Sequence, residues 1–255
     1  MTTELKNKIA LITGGSRNIG RDTALALASK GADVVVTYLK NVDEAKSVVK
    51  ELELKGVRAA CLQVDLTGTA GLESFIAAFK KILAQWKRDT FDILVNNAGT
   101  LRLATFDQVT EKDLEVNFLT NYKSVFFLTQ KLSTIMADHG RIINLGSGTA
   151  RIAFAPLISY GPFKAAIHAL TLYLASFLGP RGITVNAVAP GGLDDDFNAG
   201  LFKQMPPAKD YIKNNTAVGR LGLPKDVGGV IAFLATEQAA FVSGAIINID
   251  GGYHL

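Results

Sequence analysis

Seven short runs of apolar, largely β-branched residues recur along the chain, at 9–13, 34–38, 59–64, 91–96, 141–145, 184–189 and 245–249. They run on rather than alternate with polar residues, so each reads as a strand covered on both faces, which points to a parallel sheet. Between them lie longer stretches with apolar residues at helical spacing, at 18–30, 43–55, 70–87, 111–137, 159–178 and 225–235. Strand and helix in regular alternation, joined by right-handed crossovers, build a doubly wound α/β sheet of about seven strands. No Pro-, Gly- or Ser-rich linker and no repeat divides the 255 residues, so one domain over 1–255 is expected. The stretch 191–219, rich in Gly, Asp, Asn and Pro, breaks the rhythm with room for two short helices. An excursion of that length from a compact fold reads as a lid over a ligand site.

Two stretches carry chemistry. The first strand runs into Gly14-Gly-Ser-Arg-Asn-Ile-Gly20 and a helix. Glycines at such a turn let the backbone approach a pyrophosphate seated on a helix N-terminus, which makes Gly14, Ser16, Arg17, Asn18, Ile19 and Gly20 candidate phosphate-side residues. An empty tight turn would use the same glycines; the place between first strand and first helix favours binding. Later, Tyr160 precedes Lys164 by four residues, putting both on one helix face. A free phenol titrates near ~10. A fixed cation beside it stabilises phenolate and fits the tyrosine for general acid–base work at a carbonyl or alcohol oxygen. Ser147 ends the run Ile142-Ile-Asn-Leu145 and offers a second hydrogen bond to that oxygen. A solvated surface Tyr and Lys would have the same spacing, so the pair alone leaves both readings open.

Composition removes several alternatives. Hydrophobic residues make up 48% of the chain, enough for a core on both sides of a sheet. The single cysteine, Cys61, excludes an internal disulfide and fits a reducing compartment. Three scattered histidines and one cysteine make no transition-metal cluster, so no metal is expected. The net charge of +4 is spread along the chain without a Lys/Arg block or an aromatic-interleaved basic stripe, which argues against nucleic acid. Residues 1–8 lack an apolar leader core, and no apolar run approaches ~18 residues, so a cytoplasmic protein without a membrane span is expected.

Thr13-Gly-x-x-x-Asn-Ile-Gly20, Asp65-Leu66, Asn96-Asn-Ala-Gly99, Ser147, Tyr160-x-x-x-Lys164 and Pro190-Gly191, in this order, resemble the short-chain dehydrogenase/reductase family in its single-domain form, over about residues 8–252. The resemblance implies a Rossmann-type fold, an NAD(P)(H) cofactor, hydride transfer at a carbonyl/alcohol carbon, and a homotetramer. It implies that Ser147 orients the substrate oxygen, Tyr160 exchanges its proton, and Lys164 lowers the tyrosine pKa and holds the nicotinamide ribose. It implies cofactor contacts from Asp65, Leu66, Asn97, Ala98, Gly99, Pro190 and Gly191. A catalytic asparagine that positions a water belongs in the helix before the Ser-bearing strand. Asn121-Tyr-Lys-Ser-Val-Phe126 fits that pattern, leaving Asn117 as a structural neighbour on the same face.

Departures from the family pattern shape the finer expectations. Asn18 replaces the middle glycine of the phosphate turn, and asparagine tolerates left-handed backbone. Tyr38 stands where NAD-preferring members carry Asp, and Arg17 and Lys40 lie near enough in sequence to pair with a 2′-phosphate, which favours NADP(H) and keeps NAD(H) or dual use open. After Pro190-Gly191, Asp195 stands where a threonine usually bonds the carboxamide, and Leu193 packs beneath the ring. The run Asp194-Asp-Asp196 reads as a solvated loop rather than a cation site. Acyl-carrier-specific members place arginines where this chain has Asp138 and Ser176.

The expected activity is therefore reversible NAD(P)H-dependent reduction of a partly apolar small carbonyl compound, with Ser147, Tyr160, Ile152, Phe154, Phe197 and Leu201 toward the substrate. The alternatives are a 3-oxoacyl thioester reductase and, in another class, a non-catalytic NAD(P)-sensing protein. The intact Ser-Tyr-Lys set argues against the sensor.

Overall fold

The first strand, β1 (Ile9–Ile12), buries all four side chains: Ala10 and Ile12 face one core, Ile9 and Leu11 the other. In the computed structural model, which describes residues 4–255 (of the N-terminal stretch read for a leader, 1–3 lie outside them), the strands beside it are covered in the same way, whereas the two edge strands, at 59–63 and 246–249, are only partly covered, against the expectation that every strand is buried on both faces. The remaining strands are β2 (Asp33–Tyr38), β3 (Ala59–Gln63), β4 (Phe91–Asn96), β5 (Met136–Leu145), β6 (Thr184–Pro190) and β7 (Ile246–Ile249). Their spatial order is β3-β2-β1-β4-β5-β6-β7, every pairing parallel. The order reverses between β1 and β4, and in such sheets ligands bind outside the carboxyl ends of the strands at that reversal.

Helices α1 (Asn18–Ser29), α2 (Val42–Glu53), α3 (Leu72–Gln85), α4 (Glu111–Phe118), α5 (Ser124–Ser133), α6 (Gly161–Leu178), α7 (Asp196–Gln204), α8 (Pro207–Asn214) and α9 (Pro224–Leu234) surround the sheet. Leu27 of α1, Val48 and Leu52 of α2 and Ile231 of α9 fill one core; Phe75 and Phe79 of α3, Leu128 and Leu132 of α5 and Leu178 of α6 fill the other. The excursion 191–219 holds the two short helices expected of it, α7 and α8. No helix among the described residues is long and apolar enough to cross a membrane.

Two expectations are corrected. The helix anticipated over 111–137 is interrupted: a π turn, Leu119–Lys123, separates α4 from α5. Such one-turn expansions occur where side chains compete for the ladder, and they cluster at functional sites. The helix also stops at Ser133, and Met136 already pairs with Phe91 as β5 begins, with a shift in register before Ile93 meets Arg141. His139, at φ 60°, absorbs that irregularity.

Candidate active site

A cleft of about 770 Å³ opens along the carboxyl ends of the strands. One half is built by the turn after β1. Asn18 adopts φ 49°, the left-handed conformation expected of it. Gly20 is fixed by close approach: a Cβ there would lie 2.2 Å from the carbonyl oxygen of Gly14 and 2.6 Å from Asn97 Nδ2. Asn97 ties this turn to the end of β4, its Nδ2 donating to the carbonyls of Thr13 and Gly14 at 2.8 and 2.9 Å. All the cofactor-side residues named from the sequence line this cleft: Gly14, Ser16, Arg17, Asn18, Ile19, Gly20, Tyr38, Lys40, Asp65, Leu66, Asn97, Ala98, Gly99, Pro190, Gly191 and Leu193. A turn with glycines at its tightest points, at a helix N-terminus beside exposed Arg17 and Lys40, fits a dinucleotide.

The other half carries Ser147, Tyr160 and Lys164 of the candidate catalytic side chains named from the sequence. Tyr160 lies immediately before α6, with Pro162 in the first turn, and the backbone N–H of Lys164 donates to the Tyr160 carbonyl at 3.2 Å. Both side chains are buried, 7% and 4% exposed. Lys164 Nζ donates to the carbonyl of Leu145 at 2.7 Å and lies 5.5 Å from the centre of the Tyr160 ring. Ser147 Oγ accepts from Thr149 Oγ1 at 2.8 Å and from Thr149 N at 3.2 Å, which leaves its hydroxyl hydrogen to point toward Tyr160. Ile152, Phe154, Phe197 and Leu201 form the apolar wall, with Phe197 6.4 Å from Tyr160 between ring centres.

Electrostatics depart from the expectation that Lys164 lowers the tyrosine pKa. Burial pushes the Tyr160 phenol well above its usual value, outweighing a hydrogen bond with Ser147, and Asp195 adds to the rise. The ammonium is spent on Leu145 and the ring face, and burial pushes Lys164 itself down to about 8. His168, one turn beyond, is lowered by burial and by Lys164; its buried Nε2 packs behind Gly146 without a hydrogen-bond partner. The acidic run is accounted for within the fold. Asp194 pairs with Lys209 at 3.0 Å, Asp195 caps α7 through Asn198, and burial raises the Asp195 pKa.

Asn121 does not line the cleft. It is fully buried in the π turn, with both amide hydrogens committed, to the Thr100 carbonyl at 3.0 Å and to Asn117 Oδ1 at 3.2 Å. Its side chain thereby ties the π turn to the loop after β4. Arg102, Val116, Ile212 and Tyr253 also line the cleft and were not expected. They come from loops and separate helices, and no spacing in the sequence marks them.

A family model described as enoyl-(acyl carrier protein) reductase matches residues 14–254. The 3-oxoacyl-[acyl-carrier-protein] reductase FabG of Staphylococcus aureus is 34% identical over 250 residues, covering 97% of this chain and 98% of its own. The chain belongs to the short-chain dehydrogenase/reductase family. A probable tetrahydroxynaphthalene reductase of Zymoseptoria tritici is 33% identical, over 98% of this chain and 96% of its own length. Among solved structures, the angucycline C-6 ketoreductase LanV with bound NADP superposes with a TM-score of 0.94 at 34% identity, covering 100% of this chain and 98% of that one. As a short-chain dehydrogenase/reductase, the protein is an NAD(P)-dependent oxidoreductase of the carbonyl/alcohol class.

The Lys164 shift yields a prediction. Its native pKa lies below the unfolded value of 10.5, so its burial costs stability in full below about pH 8, and the cost fades as pH rises toward 10.5. The difference corresponds to about 3 kcal/mol. Lys164→Met should therefore raise Tm at pH 7 by several degrees while abolishing turnover, with the gain shrinking toward pH 10. In the wild type, kcat/KM for the cofactor should fall as pH rises through about 8. Calorimetry across pH and a pH–rate profile check both; a destabilised Lys164→Met would contradict them.

Proposed function

We propose that the protein reduces a ketone on a bulky, partly apolar small molecule, using NADPH and with Tyr160 as proton donor. The observation that carries this reading is the meeting of Tyr160, Lys164 and Ser147 at the seam between the glycine-lined half of the cleft and its apolar half. When bound, the nicotinamide supplies the hydride. Ser147 turns its hydroxyl hydrogen from Tyr160 to the carbonyl oxygen, and neutral Tyr160 gives that oxygen its proton. Lys164 keeps positive charge beside both. By their names LanV is an angucycline ketoreductase and the other relative a probable tetrahydroxynaphthalene reductase, and a bulky ring substrate of that kind suits a wall of Ile152, Phe154, Phe197 and Leu201.

The alternative, a 3-oxoacyl thioester reductase like FabG, has less support. The position expected to carry a carrier-facing arginine is Asp138, and it pairs with Arg181 at 2.8 Å. Arg181 further spends its guanidinium on the carbonyls of Ser133 and Met136, so this face offers little free positive charge to an acidic carrier. Assay of NADPH oxidation with a bicyclic aryl ketone and with a 3-oxoacyl thioester decides between them, the ketone being the expected substrate. Tyr160→Phe should lower kcat by about 10²–10⁴-fold with cofactor binding kept. Retained turnover would overturn the mechanism.

The NADP(H) preference is supported by Tyr38 in place of a carboxylate, with Arg17 and Lys40 exposed at the same end of the cleft, and by the NADP bound to LanV. Arg17→Ala should weaken NADPH by about ten- to a hundredfold and NADH far less, the scale of one charged hydrogen bond. Equal losses, read by nicotinamide fluorescence titration, would remove the preference.

We also infer a cytoplasmic homotetramer. Leu172, Tyr173 and Phe177 of α6 are 54%, 76% and 79% exposed, an apolar stripe suited to a second copy about a two-fold axis. Phe177→Glu should dissociate the assembly in sedimentation and cost activity by loosening α6. A wild type active as a monomer would refute this.

A further inference from the structure

Asn117, expected only as a neighbour of Asn121, is completely buried and makes two side-chain hydrogen bonds, one along the helix and one leaving it. Its Oδ1 accepts from Asn121 Nδ2 at 3.2 Å, and its Nδ2 donates to Ser159 Oγ at 3.0 Å. Ser159, 2% exposed, immediately precedes Tyr160, and its hydroxyl reaches the Arg102 carbonyl at 3.5 Å. At the other end, Asn121 exchanges two hydrogen bonds with the backbone of Thr100, at 3.2 and 3.0 Å. An unbroken chain of polar contacts thus joins the loop after β4, the π turn and the turn that carries the phenol. Neither Asn117 nor Ser159 lines the cleft, so neither reaches a substrate.

We propose that Asn117 is a positioning residue for the reaction: through Ser159 it sets the Tyr160 turn against the Asn121–Thr100 loop and so fixes where the phenol meets the substrate oxygen. Buried polar groups have no water to replace a lost partner, so each member holds the next in one arrangement. The chain of contacts grips Ser159, the residue immediately before Tyr160. The π turn fits the same role. It begins two residues after Asn117 and contains Asn121, and the two side chains remain bonded across the interruption.

The proposal rests on Tyr160 as proton donor, and the experiment separates the two. Asn117→Leu should lower kcat for the ketone by about ten- to a hundredfold, the scale of a misplaced reacting group, with NADPH affinity within about threefold of wild type. Ser159→Ala should do the same, and Ser159→Thr, which keeps the hydroxyl, should restore most of the rate. In a Tyr160→Phe background, Asn117→Leu should cost no further turnover, because its effect passes through the phenol. Wild-type kcat in Asn117→Leu and Ser159→Ala, or an undiminished further loss in the Tyr160→Phe background, would overturn the proposal. If Asn117→Leu fails to fold, the Ser159→Ala and Ser159→Thr pair decides. If the wild type reduces no ketone, the functional reading falls and hydrogen exchange decides the relay: Asn117→Leu should speed exchange at both 99–102 and 158–161 and leave the strands unchanged. Unchanged exchange at either segment would overturn it.

Discussion

A buried ammonium is the constraint around which this site is arranged. Lys164 is 4% exposed, with one direct hydrogen bond, to the Leu145 carbonyl, and the Tyr160 ring face for company. Holding a cation in so dry a place is costly, and its lowered pKa expresses that cost. The surroundings can tolerate little displacement. A Cβ on Gly99 would come within 2.9 Å of Asn121 Oδ1 and 3.8 Å of Lys164 Nζ, so the loop after β4 closes directly over both. Stability is sacrificed at this position to keep positive charge beside the phenol, as is common where a fold carries a reaction.

What keeps α6 in place is a second set of buried polar contacts beneath the cleft. Asn96, at the end of β4, donates to Asn144 of β5 at 2.8 Å and to Thr129 of α5 at 2.9 Å; Asn144 donates to Thr171 of α6 at 3.0 Å. Strands that are apolar on both faces are covered equally well in more than one register, so their hydrophobicity alone fixes alignment weakly. Paired amides and hydroxyls do fix it, because a slip leaves them unpaired in a dry core. The strand ends and helices that build the site are therefore also those with the most specific cross-links.

The strands were legible because their apolar runs are long and separated by clear helical periodicity; six of the seven were located to within two residues at each end. β5 is the exception at its start. Residues 136–140 continue a helical-looking stretch, and only pairing with Phe91 across the sheet makes them strand. Likewise the π turn follows from hydrogen bonds of Asn117 and Asn121 to partners distant in sequence, which no local pattern announces. Ser147, Tyr160 and Lys164 were visible as chemistry at fixed spacing, and the glycine turn likewise. Arg102, Ile212 and Tyr253 were not, since they reach the cleft only through the fold. The rise of the Tyr160 pKa is hidden from the sequence for a related reason: spacing shows that a cation is near, and only the fold shows how deeply the phenol is buried.

The two perturbed groups together bear on the protonation state of the site. The dry site pushes the Tyr160 phenol up and Lys164 down, each toward its neutral form. Under the proposed role, reduction needs the phenol protonated, and a raised pKa keeps that form fully populated across the neutral range. Oxidation of the alcohol needs a base in the same place, and phenolate is scarce until the pH is high. Asp195 reinforces the asymmetry: half-buried at the N-terminus of α7, its carboxylate further disfavours a negative charge on Tyr160. Lys164 opposes it only while protonated, a condition that weakens above about pH 8. The chain's own residues thus keep Tyr160 in its neutral, proton-donating form at neutral pH.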